Sequence, residues 1–258
     1  MRFLRVYTWL VIAWLTLPVV IMIWFGFNDT PGRYNQTWEG WTLKWYGKLF
    51  ALDDLTRALL TSLVIAVVTM VVAGALGTGI GYALGRYQFR GSGGVNLVMF
   101  AVISSPELVM GASLLSLFVS LGVGPGPTTI TIAHVMFSIS FVAVIVRARV
   151  LGLDRSLEEA AADLGANGWT TFWRITFPLI LPAVLSGMLL AFALSIDDFV
   201  VTAFTAGTTR TFPLWIWGAT RMGLPPQVNV MGTLIFAAGV LTAVATGIRS
   251  RPRRARVS

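Results

Sequence analysis

The sequence predicts an all-α polytopic membrane protein with six transmembrane helices. Three observations support this fold class: 56% of the 258 residues are hydrophobic, only 12% are charged, and the mean hydropathy is +0.78. A soluble globular domain has about 25% charged residues, so a bilayer suits this composition better than water does. A span needs about 20 predominantly apolar residues, and stretches of that kind recur along the whole chain.

The six apolar stretches are expected at 6–27, 57–84, 95–121, 128–148, 178–204 and 229–248. The first is longer than the apolar region of a signal peptide. Bulky aromatic residues lie where a cleavage site needs small ones, so we expect this first span to be retained. We treat 1–258 as a single transmembrane domain with a long loop at 149–177, between the fourth and fifth spans.

The distribution of basic residues indicates the orientation. Six spans place both termini on one side, and 13 of the 19 basic residues fall on that side. Cytoplasmic loops are enriched in Lys and Arg, so we expect both termini in the cytoplasm. The two groups are Arg2, Arg5, Arg86, Arg90, Arg147, Arg149, Arg155, Arg174, Arg249, Arg251, Arg253, Arg254 and Arg256, against Arg33, Lys44, Lys48, Arg57, Arg210 and Arg221. Nucleic-acid binding is not indicated, because no basic stripe is interleaved with aromatic residues on a polar face.

The second apolar stretch contains glycines in a repeating pattern. Gly77, Gly81 and Gly85 are four residues apart in turn and therefore share one face of a helix. Small residues at this spacing let two helix backbones approach closely in lipid. A dinucleotide-binding loop would need a preceding strand and a polar phosphate cradle, so we interpret these glycines as a packing face.

Pro106, next to Glu107, interrupts the third apolar stretch. Proline removes an intrahelical hydrogen bond and clashes with the preceding turn, so we expect a kink or a break here. Irregular backbone at membrane depth is tolerated only where it is buried in protein or lines a cavity. The third span is therefore expected to face one of these environments at Pro106.

The loop at 149–177 contains a short predicted helix with marked ends. Ser156 and Glu159 fit a capping box, and Gly165 suits the left-handed conformation that closes a helix. A small apolar face is shared by Leu157, Ala160, Ala161 and Leu164. Such a face fits either a groove in another protein or the lipid headgroups, and amphipathicity alone does not separate the two.

This loop resembles the E-A-A-x3-G-x9-I-x-L-P signature of the permease subunits of binding-protein-dependent importers. The matching residues are Glu159, Ala160, Ala161, Gly165, Ile175 and Pro178, with Phe177 in place of the usual Leu. The resemblance implies the type I ABC importer permease (MetI-like) fold, in which this loop is the coupling helix that docks on a separate ATPase. By that resemblance Glu159 contacts the ATPase, Ala160 and Ala161 belong to the docking segment, and Gly165 permits the turn.

The resemblance extends over nearly the whole chain to the spermidine/putrescine branch of that family. Its marks are Lys44-Trp45-Tyr46, Tyr87-Gln88-Phe89-Arg90-Gly91, Ser105-Pro106-Glu107 and Ser195-Ile196-Asp197-Asp198-Phe199-Val200-Val201. The branch commonly has Asp where Glu107 stands, which keeps the charge and changes the reach. The resemblance implies a homologous partner permease, a cytoplasmic ATPase dimer that holds ATP and Mg, an extracytoplasmic substrate-binding protein and a polyamine as the solute. No cofactor is expected in this chain.

Three carboxylates in the apolar stretches, those of Glu107, Asp197 and Asp198, are candidates for solute binding. An ionised carboxylate near the bilayer centre costs about 2.5–3.5 kcal/mol on insertion scales, so such residues usually face a cavity or a partner. The arginines cluster at span ends, and we therefore expect a cation from outside the protein, such as a polyamine, to balance the acids. In the alternative interpretation, the two aspartates lie at the outer end of the fifth span and are simply solvated.

Helix geometry separates the roles of the two aspartates. Adjacent residues on a helix point about 100° apart, whereas Ser195 and Asp198 are three residues apart and share a face. We expect one aspartate to line the path of the solute, and the other to face a neighbouring helix or a hydrogen-bond donor. Ser195 is therefore included among the solute-binding candidates.

Two single residues complete the candidate set. Trp45 offers an aromatic face for cation-π contact with an amine, and the alternative is an anchor at the membrane interface. His134, the only histidine, lies in the fourth span, where we expect a hydrogen-bonded packing role.

Several activities are excluded by what the sequence lacks. Gly47-Lys48 is followed by Leu49, which is not a Walker A loop, so the chain does not hydrolyse ATP by that route. One histidine and no cysteine support neither a transition-metal site nor an intramembrane hydrolase. The alternatives are an importer permease for another solute and an ion-coupled secondary transporter. The latter leaves the loop signature unexplained, and no inverted repeat is evident.

Overall fold

The structure, a computed structural model, describes residues 2–32 and 34–249, and this part of the chain is almost entirely helical. Twelve α-helices and one π-helical turn (Phe172–Thr176) are described in it. The α-helices are α1 (Arg2–Phe25), α2 (Lys44–Gly47), α3 (Asp53–Arg86), α4 (Ser92–Ser104), α5 (Glu107–Ser120), α6 (Pro127–Leu151), α7 (Ser156–Asp163), α8 (Gly168–Thr171), α9 (Phe177–Asp197), α10 (Val200–Thr205), α11 (Phe212–Thr220) and α12 (Pro226–Arg249). Arg33, Arg251, Arg253, Arg254 and Arg256 of the charge count lie outside the described residues.

The helices confirm the all-α membrane fold. Among the described residues, four helices are each long and apolar enough to cross a bilayer: α1, α3, α6 and the continuous helix Gly168–Asp197. α4 and α5 meet the same criterion as a pair, and α12 contributes a shorter apolar segment, Pro226–Thr242. The six predicted stretches thus correspond to four long apolar helices, one bent pair and one shorter helix, and the chain is a multi-pass membrane protein.

The break predicted at Pro106 is present. α4 ends at Ser104, Ser105 and Pro106 take extended backbone angles, and α5 begins at Glu107. The two helices are bent by 111° at this break. Because the residue before a proline is driven away from helical angles, the local sequence is sufficient to explain the interruption.

The fifth span is also interrupted, which the prediction of one stretch at 178–204 missed. α9 ends at Asp197, Asp198 is extended with φ −62° and ψ 122°, and α10 begins at Val200. The Asp198 carboxylate accepts a hydrogen bond of 2.7 Å from the backbone N–H of Thr202, in the first turn of α10. Amides in a first turn have no partner within their own helix, so this carboxylate stabilises a new helix start. The predicted span boundaries were based on hydropathy, which does not detect a helix cap.

Contacts divide the chain into two compact units. Unit 1 comprises the residues up to Thr56 and those from Ile216 onward, and unit 2 comprises Arg57–Trp215. In unit 2, α6 and α9 pack antiparallel, since His134 near the start of α6 contacts Ser195 near the end of α9. A buried apolar cluster is formed by Ala73, Val142, Val146, Val150, Ile180, Val184 and Ala191. The single domain over 1–258 stays a prediction.

The glycine face of α3 packs as predicted. A Cβ atom at Gly81 would lie 2.5 Å from the Ala143 carbonyl oxygen, and one at Gly77 would lie 2.9 Å from that of Ile139. One at Gly85 would lie 2.8 Å from a Val150 methyl group. These contacts are with α6, so α3 and α6 approach closely along the G-x-x-x-G face.

In unit 1, Asn28 organises the segment that follows α1. Its side-chain amide donates to the Asn35 side chain at 2.7 Å and to the Thr37 carbonyl at 2.6 Å. Its side-chain oxygen accepts from the Glu39 N–H, and its own carbonyl accepts from the Trp45 indole N–H at 2.8 Å. The segment is therefore ordered by a buried amide that the sequence analysis did not single out.

The predicted capping box at the start of α7 is wrong, and the predicted end of this helix is confirmed. Ser156 is the first residue of the helix, and its backbone N–H donates to the Asp154 carboxylate at 3.0 Å. Hydrogen bonds from Ser156 hold the pKa of Asp154 below its ordinary value, so this acceptor stays charged at neutral pH. At the other end, Gly165 has φ +83°, and the N–H groups of Gly165 and Ala166 donate to the carbonyls of Ala162 and Ala161. This is the Schellman arrangement, which places glycine in the left-handed region.

The close approach of α3 and α6 generates a test. Gly81→Ala should lower the free energy of unfolding by about 1–3 kcal/mol, because the added methyl group meets backbone atoms of α6 that cannot move aside. Gly79→Ala is the matched control, since a Cβ at Gly79 has no heavy atom within 4 Å. Thermal unfolding of the two purified variants in detergent measures the difference. Equal midpoints for the two variants would contradict the packing face.

Candidate functional site

The two interrupted spans of unit 2 bring the three candidate acids together. α5 packs on α10 at Gly111, where a Cβ atom would lie 2.6 Å from the Phe204 ring and 3.3 Å from the Val201 Cα. Glu107 lies one turn before Gly111, at the break between α4 and α5. Asp197 lies at the break between α9 and α10, one turn before Val201. The acids therefore form one group, which we call the acidic cluster: Glu107, Asp197 and Asp198.

Asp198 is the buried member of the acidic cluster. Its side chain is 6% exposed, and one carboxylate oxygen, Oδ2, accepts from both the N–H and the hydroxyl of Thr202, each at 2.7 Å. The same oxygen lies 3.2 Å from Nε2 of His134, whose ring is also buried. Asp198 is thus held by groups of its own chain.

The hydrogen bonds around His134 form a continuous chain of donors and acceptors. The Thr202 hydroxyl donates to Asp198, so its oxygen accepts from His134 Nε2–H at 2.9 Å. That proton position leaves Nδ1 as an acceptor for the Ser195 hydroxyl, at 2.7 Å. Both ring nitrogens of His134 are thus bonded within the chain, to Ser195 of α9 and Thr202 of α10.

These contacts correct one inference from the sequence and confirm another. The sequence analysis found no internal basic partner for the acids, whereas His134 contacts Asp198. The hydrogen-bonded packing role of His134 is confirmed, since both ring nitrogens are bonded. Ser195 and Asp198 both contact the same imidazole, although Asp198 lies beyond the end of α9, so helical spacing is not what brings them together. Thr202 was missed, although its position four residues after Asp198 is the spacing at which a side chain reaches the first turn of the next helix.

The other two acids differ from Asp198 in exposure. Asp197 and Glu107 are both exposed in this chain. One aspartate therefore accepts hydrogen bonds within the chain and the other is exposed. The role of each acid in solute binding stays a prediction.

Trp45 lies in unit 1 and makes contacts within that unit. Its indole N–H is bonded to Asn28, and the ammonium group of Lys44 lies over its ring, 4.7 Å from the centroid. Lys44 also pairs with the Asp29 carboxylate. The ring of Trp45 therefore already has a cation of this chain against it, and its contact with an amine solute stays a prediction.

The loop helix α7 exposes most of the residues predicted to dock on a partner. Glu159 and Ala160 are exposed, as are Leu157 and Leu164, while Ala161 is buried against its own chain. The preceding residue, Glu158, was not singled out from the sequence. Its carboxylate pairs with Arg86 at the end of α3 and accepts from the Thr176 hydroxyl at 2.8 Å.

Comparison with known families gives a match over most of the chain. The family described as the inner membrane component of binding-protein-dependent transport systems matches residues 77–250. The putrescine transport system permease protein PotI of Escherichia coli is 38% identical over 254 residues, which cover 95% of this chain and 90% of that protein. The spermidine/putrescine transport system permease protein PotC of Haemophilus influenzae is 37% identical over 251 residues, covering 96% and 97%.

Solved structures share the fold at low sequence identity. A bacterial ABC transporter that imports the acidic polysaccharide alginate superposes with a TM-score of 0.68 and 16% identity, covering 96% of this chain and 94% of that chain. An amino acid ABC transporter superposes with a TM-score of 0.60 and 16% identity, covering 81% of this chain and 99% of that chain. These similarities support the MetI-like importer fold and carry no information on the solute.

The hydrogen-bond chain at Asp198 generates a stability test. Thr202→Val should destabilise the protein by about 1–3 kcal/mol, because it removes the buried hydroxyl that bonds both Asp198 and His134. Thr205→Val is the matched control: Thr205 is equally buried, and its hydroxyl donates only to the Val201 carbonyl within α10. Thermal unfolding of the purified variants measures both. Equal loss of stability in the two would contradict the role given to Thr202.

Proposed function

Because the chain belongs to the family of inner membrane components of binding-protein-dependent transport systems, we propose that it is the permease subunit of a polyamine importer. A member of this family is a translocation subunit without catalytic activity, and ATP is hydrolysed by a partner subunit. The family works with a partner permease, an ATPase and a substrate-binding protein. For this chain we propose a homologous permease, an ATPase dimer on the cytoplasmic side and a binding protein on the opposite side.

The acidic cluster is the observation that carries the choice of solute. Glu107 and Asp197 are exposed carboxylates at two helix breaks, and the helices that follow these breaks, α5 and α10, pack on each other. Like charges held together in a low-dielectric passage are stabilised by a visiting cation. A polyamine carries several ammonium groups on a flexible chain, so one molecule can pair with more than one carboxylate. The names of the relatives, putrescine and spermidine/putrescine permeases, agree with this chemistry.

The two aspartates take different parts in this proposal. Asp197 pairs with the solute, because it is exposed and adjoins the break. Asp198 keeps the break open by capping α10, and Ser195 acts on it through His134. A solute that passes the acidic cluster therefore meets the exposed carboxylate of Asp197. The adjacent carboxylate, that of Asp198, is held in place by hydrogen bonds within the chain.

The loop helix supplies the contact with the ATPase. Glu159 and Ala160 lie on the exposed surface of α7, where a groove of a soluble subunit can receive them. Ala161 packs inward, and Gly165 in its left-handed conformation turns the chain back towards α9. This assignment places the loop and both termini in the cytoplasm, in agreement with the 13 basic residues on that side.

Uptake by the reconstituted complex tests the solute assignment. Liposomes containing this chain, its partner permease and the ATPase are supplied with the binding protein and labelled putrescine or spermidine. Asp197→Asn should lower uptake by at least about tenfold, the factor expected when an ionic hydrogen bond worth about 1.5–3 kcal/mol is lost. Glu107→Gln should act in the same direction. The control Asp54→Asn changes an exposed carboxylate at the start of α3 and should leave uptake unchanged.

The same assay separates the competing functions. Wild-type uptake by both Asp197→Asn and Glu107→Gln, with normal assembly, would remove the site assignment. Competition by unlabelled sugars or amino acids, with no competition by amines, would indicate an importer of another solute. Uptake that needs no ATPase subunit would indicate a secondary transporter.

A further inference from the structure

Glu158, on the loop helix α7, bonds simultaneously to two membrane-spanning helices. Its Oε2 atom pairs with the Arg86 guanidinium, at the last residue of α3. Its Oε1 atom accepts a hydrogen bond of 2.8 Å from the Thr176 hydroxyl, at the end of the π-helical turn that leads into α9. Thr176 is 1% exposed, and the side chains of Glu158 and Arg86 are each 19% exposed. One carboxylate thus divides its two oxygens between α3 and α9.

An aromatic contact joins the same elements. The Tyr82 ring, one turn before Arg86 on α3, packs edge-on against Phe172 with ring centroids 5.0 Å apart. Phe172 is the first residue of the π-helical turn. Single π-helical turns are uncommon and adapt a helix locally, often at functional sites. α3 is therefore attached both to α7 and to the base of α9.

Glu158 and Glu159 point in different directions from α7. Adjacent helical residues project about 100° apart. Glu158 turns towards the membrane helices of its own chain, while Glu159 is exposed. The exposed residue is the one available to a partner, and the inward residue is the one that conveys a displacement of α7 to the rest of the chain.

We propose that Glu158 is a positioning residue that transmits the movement of α7 to α3 and α9 during transport. The proposal rests on the proposed function, in that the movement of α7 originates in an ATPase docked on this helix. α9 has 21 residues. It therefore extends about 30 Å, from the base held by Glu158 to the acidic cluster. A displacement of α7 reaches Asp197 along the continuous helix α9, through ionic and hydrogen bonds of largely buried side chains at the Glu158 end.

Charge variants of the complete complex test this role. In Glu158→Ala, the ratio of ATPase activity stimulated by amine-loaded binding protein to basal activity should fall by about fivefold or more, the lower end for coupling between distant sites. Glu158→Gln keeps an acceptor for Thr176 and should lose less. Arg86→Glu alone should lose coupling, and combining it with Glu158→Arg should restore most of it. Arg90→Gln, four residues beyond Arg86 and exposed, is the control and should behave as wild type.

A second readout does not depend on the identity of the solute. The chain has no cysteine, so a single Ala193→Cys substitution, at an exposed site one turn before Asp197, can be labelled without background from this chain. In otherwise wild-type complexes, saturating ATP with a hydrolysis-deficient ATPase subunit should change the rate of labelling by a water-soluble maleimide. Glu158→Ala should abolish that change, and the charge-exchanged pair should restore it.

The outcomes are distinguishable. If Glu158→Ala keeps the wild-type activity ratio and the wild-type labelling change, the inference is overturned. It is also overturned if the activity ratio falls only because the ATPase dissociates from the purified complex. If amine-loaded binding protein fails to stimulate the wild-type complex, while labelling still depends on nucleotide and on Glu158, the polyamine assignment fails and the role of Glu158 stands.

Discussion

The arrangement of unit 2 depends on a buried carboxylate that is satisfied at a break in a membrane-spanning helix. Breaking a helix leaves the backbone amides of a new first turn without partners, and each one that is buried unpaired costs about 1–3 kcal/mol. Asp198 provides the acceptor for the first turn of α10, and the bonds through Thr202, His134 and Ser195 connect that turn to α6 and α9. These groups bond to one another across the break. The neighbouring Asp197 is exposed, and Glu107 lies at the other break, at the start of α5.

Two pairs of adjacent acidic residues in the chain share one arrangement. In each of the pairs Asp197-Asp198 and Glu158-Glu159, one carboxylate bonds to its own chain and its neighbour is exposed. Neighbouring side chains on a helix cannot face the same direction, so an acidic pair can supply one internal bond and one external contact. At one end of α9 the external contact is assigned to a solute, and at the other end to an ATPase. The internal members hold the two ends of that helix in place.

The sequence was most informative where a local property decides the structure. Pro106 predicted its break because a ring cannot donate a hydrogen bond, and Gly165 predicted the end of α7 because a left-handed residue favours glycine. Gly77, Gly81 and Gly85 predicted a close helix contact because small residues at this spacing leave a groove. The capping box predicted at Ser156 was wrong because the Asp154 carboxylate, two residues earlier, accepts the hydrogen bond from the first backbone N–H of the helix. The second break was missed because it depends on a helix cap by Asp198. No local sequence pattern distinguishes a capping aspartate from another acidic residue in an apolar stretch.

By itself, the sequence determined the membrane class, the approximate spans, the signature of the loop and the identity of the acids, since these follow from composition, periodicity and short spacings. Only the tertiary structure decided which aspartate is buried, that His134 is its neighbour, and that Glu158 bonds to α3 and α9. Arg86 and Glu158 are 72 residues apart, and His134 and Asp198 are 64 apart. No local pattern encodes such pairs, because helix packing alone brings them within bonding distance. The physical reason is that a polar side chain in a low-dielectric interior takes the partner that folding places beside it.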